Sequence, residues 1–212
     1  PAIVAAAPPD ARLFFLGSTR KFTRWPDDHG NGVLAGEAAF LSSGRRGAIL
    51  HPTMIYGAQG ENNVQRLAGI LRKLPIVPLP NGGASLVQPV HQDDVTAALI
   101  AALDRDWPGP ESLVVAGPTA MTYADFIRSL AAAAGLPAPR IVAVPAWLPI
   151  AAAWIMHAVP FLPDVEPAEV RRLLEDKAFD IAPARAALGF DPIGFREGLA
   201  RTFGKPHHRE KA

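Results

Sequence analysis

Two hydroxyls close a short apolar run, Ser18 and Thr19 at the end of RLFFLGST (12–19). A hydroxyl at the carboxyl end of a buried strand faces the crevice in which open α/β sheets hold their ligands, where it can bond a reacting oxygen. The same two hydroxyls can also simply finish the strand and satisfy its last amides. His29 lies in DDHGNG (27–32), a loop-like composition, and its imidazole could shuttle a proton near neutral pH. Asp93 and Asp94 stand side by side, a pairing that suits acid/base work or a metal. The apolar helix that follows them accounts for them better as N-terminal caps. His51, alone on an apolar strand, reads as a satisfied core residue. Asn62 and Asn63 open a helix and could bind a polar ligand, although capping explains one of them. No metal site is expected, and with no cysteine in the chain there is no thiol chemistry, disulfide or thiolate ligand.

The elements that must carry these residues follow from periodicity and punctuation. Arg12 to Gly17 and Ala48 to His51 read as buried parallel strands, and Val33 to Leu41 between them as a helix after the DDHGNG loop. Val64, Leu67, Ala68, Leu71 and Leu74 recur at helical spacing, and Pro75 closes that segment. Val95, Ala98, Leu99, Ala102 and Leu103 mark a second amphipathic helix. Ser112 to Ala116 predicts a third strand. Thr122 with Asp125 has the spacing of a capping box opening a helix that Gly135 can end. Asn81-Gly82-Gly83 is a turn. Pro167 and Pro183 suit first helical turns, and Gly189 a helix stop. Strands alternating with helices make the class α/β with a mainly parallel sheet.

The 212 residues, 21 basic and 20 acidic, carry a net charge of +1, which argues against nucleic acid as a partner. The stretch 141–163 has no formal charge, which invites a membrane reading. Pro145, Pro149, Pro160 and Pro163 would each break a lipid-exposed helix, so 144–162 is expected to be a surface-associated apolar segment and no transmembrane span. The N-terminal residues lack the charge and apolar run of a signal peptide, and the cytoplasm is the default compartment.

Taken in order, RLFFLGST (12–19), HPTMIYG (51–57), QPVHQDDV (88–95), RRLLEDKAFD (171–180) and LGFDPIGFREGL (188–199) resemble segments of extended short-chain dehydrogenases of the NAD-dependent epimerase/dehydratase family. They are similar also to the accessory subunit of respiratory complex I that shares that fold. The resemblance implies a partial Rossmann-like parallel sheet with a small, mostly helical C-terminal substrate lobe. On this division, 1–104 is the remnant of the NAD(P)-binding domain with 59–85 as an excursion to the lobe, 105–204 is the lobe, and 205–212 is a frayed tail. It implies NAD or NADP as cofactor and a nucleotide-sugar-like small molecule as substrate. Thr19, with Ser18 beside it, inherits the hydroxyl that bonds the substrate's reacting oxygen. Pro52, Thr53, Met54 and Ile55 inherit the lining of the nicotinamide, and Asn63 and His91 are the candidate substrate contacts.

Two departures qualify this. The family's Tyr and Lys, in which the Lys lowers the Tyr pKa, fall by count on His29 and Val33, and Val33 has no charge to offer. The strand, glycine-rich turn and helix that cradle a dinucleotide's pyrophosphate have no counterpart. Only eleven residues precede Arg12. The expectation is a truncated or decayed member, or one whose first half is a separate polypeptide. Two functions follow: an epimerase, dehydratase or reductase, or a non-catalytic binding or assembly module that keeps the fold. A half-sheet also exposes an open edge, which predicts self-association or a protein partner.

Overall fold

The computed structural model describes all residues except 26, 58–62, 75, 149–170 and 205–212. Pro167, the tail and residues 149–162 of the apolar segment 144–162 therefore lie outside the described residues.

A three-stranded parallel sheet forms the frame, in the order β1 (Leu13–Leu16), β2 (Gly47–Pro52), β7 (Pro110–Val115). Registers run Leu13 to Gly47 and Leu50 to Leu113, and β2 is buried along its whole length. Side chains alternate between the faces of a strand, so β2 feeds two cores. Ala48 and Leu50 join Leu113, Val115 and residues of α4 (Gln92–Asp104) and α6 (Ala182–Leu188). Ile49 turns the other way to Leu13 and to Phe40 of α2 (Asp28–Ser42), beside Val4 of the short α1 (Ala2–Ala6). The same alternation sends His51 to the α2 side. Trp107 anchors the first core: it is fully buried, its indole donates to the Ala102 carbonyl at 2.7 Å, and Arg105 lies over its ring. The third strand lies beyond residue 104, because SLVV (112–115) is apolar enough to be buried against β2 whatever lobe its neighbours serve.

A second core gathers Tyr56 of β3 (Ile55–Tyr56), Val64 and Leu71 of α3 (Asn63–Lys73), Leu79 of β4 (Ile76–Pro80), Phe126, Ile127 and Leu130 of α5 (Tyr123–Ala133), and Phe195 and Leu199 of α7 (Phe195–Phe203). Short pairings brace it. β3 runs parallel to β6 (Val90–His91), β4 runs parallel to β9 (Arg140–Val144), and β5 (Leu86–Val87) is antiparallel to β8 (Met121–Thr122). Thr122 caps α5 by accepting from the Asp125 amide at 3.1 Å, and Gly135 beyond it has φ +68°. Gly189 ends α6 at φ 62°, a conformation that costs a residue without Cβ nothing.

Two local expectations are corrected. DDHGNG is not a loop: α2 begins at Asp28, because Asp27 accepts from the Gly30 amide at 2.7 Å and is itself held by Arg20 and Arg172. That cap outweighs the entropic cost of two early glycines. Nor do Asp93 and Asp94 cap α4. The acceptor is the imidazole of His91, whose Nδ1 takes the Asp93 amide at 3.2 Å, and both aspartates sit in the first turn. Among the described residues no helix is long and apolar enough to cross a membrane.

Candidate functional site

β1 ends at Leu16, and the chain turns through Gly17 into a single 3₁₀ turn (Thr19–Phe22). Ser18 Oγ caps that turn by accepting from the Arg20 amide at 3.1 Å. Thr19 Oγ1 donates to the Pro52 carbonyl at 3.2 Å, which ties the end of β1 to the end of β2. A hydroxyl has one hydrogen and two lone pairs. Thr19 has therefore spent its hydrogen inside the protein, whereas Ser18 has used a lone pair and keeps its hydrogen for an outside acceptor.

Both residues line a cavity of about 260 Å³ together with Thr53 and Met54, which follow β2. Of the expected nicotinamide-lining quartet these two reach the cavity; Pro52 is buried in β2 and Ile55 packs on the first core. The rest of the wall mixes charged side chains with Phe22, Thr23 and Phe179. Arg20, Arg24, Arg172 and Lys177 face it, with Glu175 and Asp176. Asp27 sits behind, 2.6 Å from Arg20 and 3.0 Å from Arg172. Burial pushes the Asp27 carboxyl up, but the Gly30 amide and the two guanidiniums outweigh it and hold the group below the usual carboxylate range. Glu175 accepts from the Thr23 hydroxyl at 2.9 Å and the Arg24 amide at 2.6 Å. The segment 171–180 is pinned opposite β1 by bonds from the Leu86 amide to Asp176, from the Lys177 amide to the Leu86 carbonyl, and from the Phe179 amide to the buried Gln88.

Beneath the hydroxyls lies a buried polar ring. Lys21 donates to Glu37 at 2.5 Å, Ser112 donates to the same oxygen, and His51 Nε2 is 3.2 Å from it. His51 Nδ1 accepts from the Ser18 amide at 3.1 Å, which fixes the tautomer with hydrogen on Nε2, aimed at Glu37. Burial and the Lys21 charge lower the His51 pKa, so the ring is neutral at pH 7. The expectation of a satisfied core histidine holds, and its partner explains why a charged α2 residue, Glu37, is only 8% exposed. Gly17 is required there, since a Cβ would stand 2.4 Å from the imidazole.

The structure does not bring all the predicted site residues together. His29 is exposed on the first turn of α2, and it shares a different, mostly apolar cavity of about 570 Å³ with Val33, Gly17 and α1. His91 is buried, used as a cap, with Nε2 unpartnered beside Gly57. Asn63 opens α3, and its side chain lies outside the described part of the structure. Sequence reasoning missed Arg20, Lys21, Glu37, Arg172 and Lys177. The charge density of RRLLEDK (171–177) was visible, but nothing local says that it faces β1. Among the described residues no group of His, Asp and Glu side chains is arranged to hold a metal.

The sequence matches no family model and no curated protein. Its fold is matched by solved structures. MoeE5 in complex with UDP-glucose and NAD superposes with TM-score 0.65 at 20% identity, covering 95% of this chain and 66% of that one. UDP-glucuronic acid 4-epimerase from Bacillus cereus, in complex with UDP-glucuronic acid and NAD, gives 0.64 at 15% identity, over 91% of this chain and 60% of that one. UDP-glucose 4-epimerase from Thermotoga maritima, with UDP-glucose, gives 0.64 at 16% identity, over 95% and 64%. The chain thus spans about two thirds or less of the length of these proteins. Its fold is that of the NAD-dependent nucleotide-sugar epimerases, with a partial Rossmann-like sheet.

Proposed function

We propose that this chain is part of an NAD(P)-dependent epimerase, dehydratase or reductase acting on a nucleotide-sugar-like substrate. The observation that carries the reading is the convergence of Ser18 and Thr19, from the end of β1, with Thr53 and Met54, from the end of β2, on one cavity. Carboxyl ends of parallel strands are where such sheets bind ligands. A nicotinamide, when bound, exchanges hydride with a carbinol or carbonyl carbon. The described residues fit that group only in part: Thr53 and Met54 can wall a nicotinamide, but no glycine-rich turn offers its pyrophosphate a cradle. Gly82 and Gly83 face Ala143, Leu79 and Ala124 of the protein itself.

The work of this chain's own side chains is then positional and electrostatic. Ser18 donates its free hydrogen to the substrate oxygen, which polarises a carbonyl or orients a carbinol. Thr19, bonded to the Pro52 carbonyl, holds the β1 and β2 ends in register for that contact. His29 opens on the neighbouring cavity, so a proton role for it requires relay around Gly17. Asn63 and His91 remain proposed substrate contacts, and His91 requires the Gly57 backbone to move aside for its Nε2.

One observation favours the second reading, a non-catalytic binding or assembly module. The positions of the family's Tyr and Lys hold His29 and Val33, and they face the other cavity. Among the described residues no strand pairs with the outer edge of β1, where Leu16 is exposed, and this supports self-association or a protein partner in either case. Calorimetric titration with NADH and NADPH separates the two. A Kd in the micromolar range, about −8 kcal/mol, is expected for the enzyme reading and overturns a purely structural module.

A further inference from the structure

We propose that the cavity at the end of β1 takes a carboxylate-bearing sugar ring, with Lys177 as the residue that receives the carboxylate; this rests on the nucleotide-sugar reading and narrows it to acidic sugars. The inference comes from following each charge in the wall to its partner. Asp27 is shared by Arg20 and Arg172. Glu175 is taken by the Thr23 hydroxyl and the Arg24 amide, and Asp176 by the Leu86 amide. Each carboxylate near the cavity thus has its donors. Among the described residues, the Lys177 ammonium has neither a hydrogen bond nor an ion pair, although its side chain faces the cavity.

Its surroundings penalise that charge. Burial lowers the Lys177 pKa, the positive charges of Arg172 and Arg20 lower it further, and the attraction of Glu175 does not restore it. A partly buried ammonium with no bonded acceptor gains from an anion that enters with its own acceptors. The backbone on either side is fixed by the Leu86 and Gln88 bonds, which anchor the root of the Lys177 side chain at the cavity wall.

Size chooses the anion. At about 260 Å³ the cavity falls below the roughly 300–1,000 Å³ of drug-sized pockets. It matches one sugar ring with its substituents more closely than a ring together with a diphosphate. The anion that reaches Lys177 while Ser18 bonds the reacting oxygen is therefore carried by the ring itself, and the acidic group a sugar ring carries on its own carbons is a carboxylate.

The test compares UDP-glucuronic acid with UDP-glucose by calorimetry. Both bear the same diphosphate, so any difference reports the carboxylate. The wild-type protein is expected to bind UDP-glucuronic acid about 10- to 100-fold more tightly, the range of one charge-assisted hydrogen bond. Lys177→Gln should abolish that preference while leaving the UDP-glucose affinity within about twofold. Equal affinities in the wild type, or a preference that survives the substitution, overturn the assignment. A variant that weakens both ligands alike overturns it too, by placing a phosphate on Lys177. Failure of both sugar nucleotides to bind overturns the nucleotide-sugar reading itself. A second measurement needs no variant: acetylation of Lys177 by acetic anhydride, followed by peptide mass spectrometry, should be slowed by UDP-glucuronic acid and not by UDP-glucose. Protection by both or by neither counts against the proposal.

Discussion

Replacing Glu37 by Leu removes the acceptor at the centre of the polar ring under Ser18. The Lys21 and Glu37 side chains are 8% and 11% exposed, so the ammonium left behind has little access to water. Removing one partner of a buried ion pair costs about 3–5 kcal/mol, because the other charge stays uncompensated. The same substitution strips the acceptor from the Ser112 hydroxyl and from His51 Nε2. Those losses overlap with the first, since all three donors share one oxygen, so about 4 kcal/mol in total is expected. Against a total stability of roughly 5–15 kcal/mol that is a large fraction. With a urea m-value of about 2 kcal/mol/M, the unfolding midpoint should fall by about 2 M. Freed of Glu37, the imidazole can turn away from the Ser18 amide, and that amide should exchange with deuterium much faster than its neighbours. The double variant Lys21→Met with Glu37→Leu should recover most of the loss, because the orphaned charge goes with its partner. A midpoint shift under about 0.5 M for Glu37→Leu alone would refute the view that the ring is a closed, desolvated network.

Three further outcomes follow. His51 and Glu37 both have pKa values held below their ordinary ones. The unfolded chain therefore binds protons that the folded chain does not as pH falls, and stability is lost on the acid side. Burial lowers His51. For Glu37 burial acts upward, and is outweighed by bonds from Lys21 and Ser112. The melting temperature should be level above pH 7, fall first below about 6.5 as His51 is forced to charge, and fall again below the usual carboxylate range; a level profile from pH 8 to 5 contradicts this. Gly198→Ala puts a Cβ 2.0 Å from the Tyr56 hydroxyl, whose ring is fully packed, and should destabilise by about 1–3 kcal/mol, whereas Gly32→Ala in α2 meets nothing and should stabilise by about 0.5–1 kcal/mol in the same urea titration. The open edge of β1 predicts a dimer or larger species in sedimentation velocity at tens of micromolar, and a monodisperse monomer would remove the edge as an association surface.

Short-range pattern makes the strands, one cap and one helix stop legible in the sequence. The apolar runs 12–17 and 48–51 have the length and composition of buried parallel strands, and 13–16 and 47–52 pair as such. Thr122 and Asp125 lie one helical turn apart and form the predicted cap, and Gly189 stops its helix because only glycine takes φ 62° without cost. Ser18 and Thr19 could be placed at the end of β1 for the same reason, since a strand's end is a local property. The start of α2 escapes composition because its cap is stabilised by Arg172, 145 residues away. His91 was read as a ligand contact and the aspartates after it as caps, since composition alone does not tell which acceptor faces the open amides.

The cavity itself was decided by tertiary structure alone. Its cations come from the turn after β1 and from 171–177, and Thr23 meets Glu175 across 152 positions. No periodicity links such distant segments. Their meeting is set by how the two cores stack their elements, and by the Gln88 and Leu86 bonds that pin the segment 171–180. The role of His51 was likewise fixed by a face: the two-residue alternation of β2 turns it toward α2, where Glu37 waits, and away from the alanine-rich α4 packed on the other side.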